Sequence, residues 1–429
     1  MVGKLAKAWF SRIKFRRLVD LLIPQRLPVT PFTFATIYVP AVLSYYVMAI
    51  LVQLPRMQLY RLALLPLVYV FALRAGLSLD FSGSSPSHVY HNQGLALSMV
   101  TMALRSTAWT FVREPYIREP IARPQKDANG DRASHSSPDG SANHHPTTIR
   151  TAMWNAWDLM VNLRGIGWNW PERLHVPRPM SETQSRLVSF ALTVGRLLIL
   201  VVLFDAITGY VRSFGPDTFG SPLGGNLFDP SLPPFQRYLK AYKITALTGA
   251  TTYINIEAVY HLHAVMFMIL FQQHPSQWPP LFDSPWQSTS LSSFWARRWH
   301  QLYRESFVAV GSRPLGMIFG RAGIVMGAFI VSAILHDLGM RGMDRGADSL
   351  QIMGFFIMHG VGVVLEYAWG KTTGRRVGGV LGWLWTFTWF MTWGCLMVDS
   401  WARRGLMGSE FFPEPYRPTT LLAGLYHGK

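Results

Sequence analysis

Seven nearly uninterrupted apolar stretches limit what this chain can fold into: residues 31–54, 61–79, 187–209, 247–271, 322–340, 351–369 and 377–398. A helix needs ~20 apolar residues to cross a bilayer's hydrocarbon core, and these stretches are close to that length. Backbone groups find no water there, so a spanning segment must satisfy them internally, as a helix does. The stretch 92–108 is weaker and reads as a short or re-entrant span. Pro40 and Pro66 fall inside spans, where neighbouring helices can satisfy the freed groups. The expectation is an all-α, polytopic membrane helical bundle of about seven to nine spans.

Composition agrees. Only 15% of the residues are charged, against about 25% in a soluble globular protein. Aromatics reach 14%, with 16 Trp, and such rings favour membrane interfaces. Net charge is +17, which suits anionic lipid or a phosphorylated substrate. So apolar a chain is a poor nucleic-acid binder, and part of the basic excess serves to orient the protein, since Lys and Arg collect in cytoplasmic loops. The single cysteine, Cys395, excludes an intrachain disulfide and a thiolate cluster. It sits in an apolar run and reads as packing.

Five regions follow. Residues 1–28 form a basic amphipathic segment, suited to a membrane surface and to a cytosolic start. Its charges continue to Arg17, unlike a signal peptide, and Val2 precedes Gly3, unlike a myristoylation site. Residues 29–112 hold the N-terminal spans. Residues 113–150 are rich in Pro, Ser, Asp and Asn and read as a disordered polar loop. Its His135, His144 and His145 read as solvated rather than metal-bound. Residues 151–400 form the core and 401–429 a tail.

Chemistry concentrates where polar groups interrupt this pattern. "STSLSSFWARRWHQLYRESF" (287–307 region) reads as a helix with Ser290 or Ser292 as N-cap. At helical spacing Trp295, Trp299, Leu302 and Ser306 share one face, and Arg297, His300 and Arg304 share another. The second face suits either phospholipid headgroups or an anionic cofactor, with arginine as a phosphate fork. In "GIVMGAFIVSAILHDLGM", His336 and Asp337 end an apolar run. Ionisable groups in spans are costly and point to function. A buried neutral histidine suits proton removal from an alcohol. Asp337, a helix neighbour, points about 100° away and is a poor orienting partner. His359 and Glu366, seven residues apart, share a face. Asp205 and Arg196 lie in one apolar run. Asn255, Glu257, His261 and His263 lie in another, where the i, i+2 histidines diverge on a helix and make a poor metal pair. No GxxxxGK[ST], GxSxG or DDxxD motif occurs.

Three motifs in order, "RGIGWNW" (164–170), "SSFWARRWHQLYR" (292–304) and "ILHDLG" (334–339), resemble the wax-synthase-like branch of the membrane-bound O-acyltransferases. Within it they look like fungal acetyltransferases that decorate terpenoid or meroterpenoid products. The resemblance covers roughly 150–400. It implies an internal tunnel entered by acyl-CoA and by an alcohol. It assigns the essential histidine to His336 and a second catalytic position to His300, where the family often has Asn. Gly360 and Glu366 fit the family pattern, and His359 stands where Gln is usual. Arg297, Arg298, Arg304, Arg164 and Trp299 would bind the CoA moiety, with Trp299 a further oxyanion donor. Direct transfer needs no metal and no tightly bound cofactor, acetyl-CoA being a co-substrate. The partners implied are acyl-CoA, a hydrophobic alcohol and membrane lipid, with the endoplasmic reticulum as location. Two alternatives stay open: a long-chain wax-ester-type acyltransferase, and a transporter using His336, Asp337, His359, Glu366 and Asp205 as a path.

Overall fold

The computed structural model describes residues 26–119, 147–171, 174–177 and 185–426. Most of the basic N-terminal segment and of the 113–150 loop, with His135, His144 and His145, lies outside the described residues. The protein is an all-α polytopic membrane protein. Among the described residues six helical stretches are long and apolar enough to cross a membrane. They are α1 (Pro31–Leu51), α2 (Gln58–Ser78), α5 (Arg186–Ser213), α6 (Pro234–Leu270), α7 (Arg304–Arg341) and α8 (Ser349–Thr373). Between them lie α3 (Tyr90–Thr110) and α4 (Ile149–Val161); α9 (Gly379–Arg403) and α10 (Pro418–Tyr426) follow. The helices α3 and α9 are as long as spans but carry more polar sequence, including Arg105 in α3 and Asp399 in α9. The only strands among the described residues are two-residue segments, β1 (Leu27–Pro28) and β2 (Leu79–Asp80), paired in parallel.

Packing runs as a chain of neighbours: α1 on α2, α2 on α3, α3 on α7, α7 on α8, α8 on α9, α9 on α6 and α6 on α5. The outermost helix, α5, is strongly apolar yet buries almost none of its apolar stretch against the protein. An apolar face this open is covered by lipid. At 37 residues, α6 is about 55 Å long and projects beyond a ~30 Å hydrocarbon core. In the N-terminal half, the buried guanidinium of Arg105 donates to Tyr45 Oη (2.7 Å) and to the carbonyls of Leu159 (2.9 Å) and Met160 (3.0 Å). One buried cation thus ties α1, α3 and α4 together. Asp205 on α5 receives Arg417 Nε (2.9 Å) and the Thr419 amide (3.0 Å), and so docks the start of α10.

The helix α7 is not one span. Gly320 has φ +56° and ψ −137°, a conformation that side-chain-bearing residues resist. There the chain reverses. A Cβ on Gly311 would lie 2.2 Å from the Gly327 carbonyl oxygen, and one on Gly323 would lie 2.1 Å from the Leu315 carbonyl oxygen. Residues eight and sixteen apart in sequence touch only if the two arms, 304–319 and 321–341, run antiparallel. Small residues let their backbones meet, as in membrane helix pairs generally. The sequence reading found the second arm as span 322–340. It assigned most of the first arm to a polar island, because Arg304, Glu305 and Arg313 break its hydropathy.

Candidate active site

The hairpin register explains how two histidines thirty-six residues apart come together. Gly311 faces Gly327; seven residues outward on each arm stand Arg304 and Ile334, with His336 at the next level. His300 and Arg304 flank that level. All three polar groups, His300, Arg304 and His336, line one cavity of about 410 Å³, a size usual for a small-molecule site. Its wall is aromatic, with Trp295, Trp299, Phe329, Phe355, Phe390 and Trp401, and Arg304 is the only Lys, Arg, Asp or Glu among the lining residues.

The single helix expected across 290–307 is broken. Ser290 does cap it, accepting from the Ser293 amide at 3.0 Å. Residues Leu291–Ser293 then widen into a π turn, Phe294–Arg298, and Trp299 turns extended at φ −78°, ψ 154°. Three interactions stop the helix there. Gln301 Nε2 donates to the carbonyls of Trp295 (3.2 Å) and Trp299 (3.1 Å). Arg298 Nη1 donates to the carbonyls of Asp283 (2.9 Å) and Ser284 (3.0 Å). The Arg298 carbonyl accepts from the Asp283 amide at 3.0 Å. Carbonyls that a helix end leaves orphaned are thus satisfied from the side. The two separate faces drawn from 3.6-residue spacing therefore do not survive. Trp295, Trp299, His300 and Arg304 all face the cavity, whereas Arg297 is exposed.

Glu366 on α8 sets this segment in place. Its carboxylate accepts from the amides of Leu291 (2.6 Å) and Ser292 (2.9 Å) and from Trp385 Nε1 (3.0 Å). A buried carboxylate on a helix start satisfies free N–H groups and complements their positive end. No hydrogen bond or ion pair joins Glu366 to His359. His359 is fully buried, with Nδ1 donating to the Phe355 carbonyl at 2.8 Å and its ring among Trp295, Phe355 and Phe390.

His336 is held by its own helix. Nδ1 lies 2.8 Å from the Ser332 carbonyl oxygen. A carbonyl only accepts, so Nδ1 carries the proton and Nε2 keeps its lone pair. The ring packs on Phe356, centroids 4.5 Å apart. Asp337 pairs with Arg341 (2.8 Å) and takes no part in orienting His336, as the helix geometry requires. His300 Nδ1 is buried with no partner among the described residues. Burial first, and then nearby His336 and Arg164, push His300 down to about 3, so it is neutral at pH 7.

Arg164 does not line the cavity; it ties a neighbouring loop. It donates to the carbonyls of Pro279 (2.7 Å) and Pro280 (2.8 Å) and to Tyr260 Oη. The surrounding "RGIGW" loop is held by Asp158, which accepts from Trp168 Nε1 (2.7 Å) and Gln273 Nε2 (2.6 Å). Sequence reading missed Asp158, Gln301 and Ser332, whose roles depend on contacts distant in sequence or on a backbone carbonyl. His261 and His263 donate to carbonyls on their own helix, at 2.8 and 2.7 Å, and diverge.

Residues 278–358 match the Membrane bound O-acyl transferase family. The matched segment contains both cavity histidines and the whole hairpin. Acetyltransferase sirH of Emericella nidulans is 24% identical over 251 residues, 55% of this chain and 55% of that protein. Acetyltransferase ple2 of Rhodocybe pseudopiperita is 26% identical over 295 residues, 64% of this chain and 72% of that protein. A long-chain-alcohol O-fatty-acyltransferase of Simmondsia chinensis is 29% identical over 106 residues, 23% of this chain and 30% of that protein. The chain thus spans about half the length of the first of these and more of the second. The mixture of fungal acetyltransferases and a plant fatty-acyltransferase fits the wax-synthase-like branch.

Proposed function

We propose that this chain, related to the membrane-bound O-acyltransferases, is an O-acetyltransferase that moves an acetyl group from acetyl-CoA to a hydroxyl of a hydrophobic, terpenoid secondary metabolite. The observation that carries this reading is one apolar cavity holding a tautomer-fixed His336 beside a neutral His300. In this mechanism His336 Nε2 takes the acceptor's hydroxyl proton as the oxygen attacks the thioester carbonyl. The new C–O bond forms a tetrahedral oxyanion, which His300 stabilises by donating a hydrogen bond, with Trp299 as a second donor. Collapse breaks the C–S bond, and the departing thiolate takes the proton back from His336. Arg304, in the cavity wall, and exposed Arg297 meet the donor's phosphates. Arg298 and Arg164 contribute to the donor site by holding the loop around 279–284. Residence in the endoplasmic reticulum membrane, and an internal tunnel joining donor and acceptor, belong to the same proposal.

A long-chain donor is the second reading, favoured by the plant relative's printed activity. The transporter alternative is disfavoured, since its proposed path is tied up locally. Asp205 holds Arg417, Asp337 holds Arg341 and Glu366 caps a helix start. The test is acetyl transfer by the purified full chain, from labelled acetyl-CoA to a terpenoid alcohol. His336→Ala should lower the rate by about 10²–10⁴-fold. Wild-type speed in that variant would overturn the mechanism; solute movement across vesicles without any transfer would favour the transporter.

A further inference from the structure

The cavity has two kinds of wall. One, carrying the histidines, lies inside the matched family segment 278–358. The other, from α6 and α9, lies outside it. On α6 the residues Thr245, Thr248, Gly249, Thr252 and Ile256 line the cavity at helical spacing. Two of them are unusual there. A Cβ placed on Gly249 meets nothing within 4 Å, so the glycine is not required by packing against the protein. Helix propensity alone favours Ala over Gly by about 1 kcal/mol. Thr248 is 5% exposed, and its hydroxyl has no partner among the described residues. Its neighbours differ: Thr251 and Thr252 donate to carbonyls four residues back, at 2.9 Å each, and Thr245 contacts Cys395 Sγ at 3.4 Å. A buried hydroxyl left without a partner is costly. Thr248 lines the cavity, and one step of about 120° in χ1 carries its hydroxyl to another staggered position, through which the side chain can offer it to a bound molecule.

We infer that the Thr248–Gly249 face of α6 is the acceptor-recognition wall. Gly249 leaves room for a bulky hydrophobic skeleton, and the Thr248 hydroxyl bonds a second oxygen function on it, remote from the reacting hydroxyl. The inference rests on the acyltransferase reading and adds an acceptor class: a bulky, multiply oxygenated hydrophobic alcohol.

The test uses the purified full chain in detergent, acetyl-CoA, and matched acceptors on one polycyclic skeleton: a diol, and the mono-ol that lacks the remote oxygen. A small linear alcohol completes the set. Wild type should favour the diol over the mono-ol in kcat/KM by about 3–10-fold, the scale of one hydrogen bond. Thr248→Val should bring that ratio toward one, and Thr248→Ser should restore it. Gly249→Leu sets its Cβ in open space and extends the side chain into the room left for the acceptor. It should lower kcat/KM for the polycyclic diol by about 10–200-fold, far more than for the linear alcohol, while the KM for acetyl-CoA stays put. Equal loss for both alcohols, or a diol preference untouched by Thr248→Val, overturns the inference. If no acceptor is acetylated, quenching of the cavity tryptophans by each alcohol replaces turnover. Tighter diol binding that weakens in Gly249→Leu then supports the wall even though the acyltransferase reading fails; unchanged binding sinks the wall as well.

Discussion

Replacing Gly327 by alanine tests whether the hairpin holds the two histidines in register. The new Cβ would stand 2.3 Å from the Gly311 carbonyl oxygen and 2.4 Å from its carbon. Non-bonded heavy atoms rest at about 3.5–4.0 Å, so the arms must part by more than ~1 Å at this level. Overpacking of this kind costs about 1–3 kcal/mol, offset in part by the ~1 kcal/mol that alanine gains over glycine in a helix. The thermal midpoint in detergent should fall by a few degrees. The rate should fall further, because a displacement of about 1 Å at reacting groups costs on the order of 10²-fold. Gly195→Ala on α5 is the control, since nothing lies within 4 Å of its added Cβ. Unfolding followed by size-exclusion fluorescence, together with labelled-acetyl transfer, reads both effects. If Gly327→Ala melts with wild type and keeps its rate within about threefold, the Gly311–Gly327 contact is not what aligns the site.

Two further outcomes follow from the same geometry. Glu366→Ala removes an acceptor shared by three N–H donors. At about 1–3 kcal/mol per orphaned buried group, it should destabilise the protein and release the Trp295–His300 segment, seen as faster proteolysis between 291 and 303. Glu366→Gln should recover part of the loss, since its oxygen still accepts. His300, pushed from 6.5 to about 3, takes up protons more readily unfolded than folded. Its contribution to stability is therefore complete above pH ~6.5 and drains away as the pH falls toward 3. His300→Gln should flatten the melting temperature across pH 6.5 to 4, and an unchanged acid slope would place the effect elsewhere.

His336 was legible in the sequence because an imidazole ending a long apolar run is costly enough to need a reason. His300 was not legible from composition, which gave an interfacial basic helix. Only the resemblance to a family drew it inward, and the structure shows why spacing failed. The 3.6-residue rule stops at Trp299, where the Gln301 side chain and the Asp283 amide take carbonyls that a continuing helix would have bonded itself. Glu366 was noticed but paired with the wrong neighbourhood, since its partners are backbone amides about seventy-five residues away. The hairpin escaped because Gly311, Gly316, Gly323 and Gly327 read equally well as ordinary small-residue packing between separate spans. The positive φ at Gly320 and the backbone contacts of Gly311 with Gly327 reveal the reversal, and no one-dimensional pattern announces it.

The reversal at Gly320 also changes parity. A stretch counted as one crossing places its two ends on opposite sides of the membrane; a hairpin returns them to the same side. Residues 299–303 and 342–348 therefore lie at the same end of the hairpin, and a count of crossings by hydropathy alone changes by one at α7.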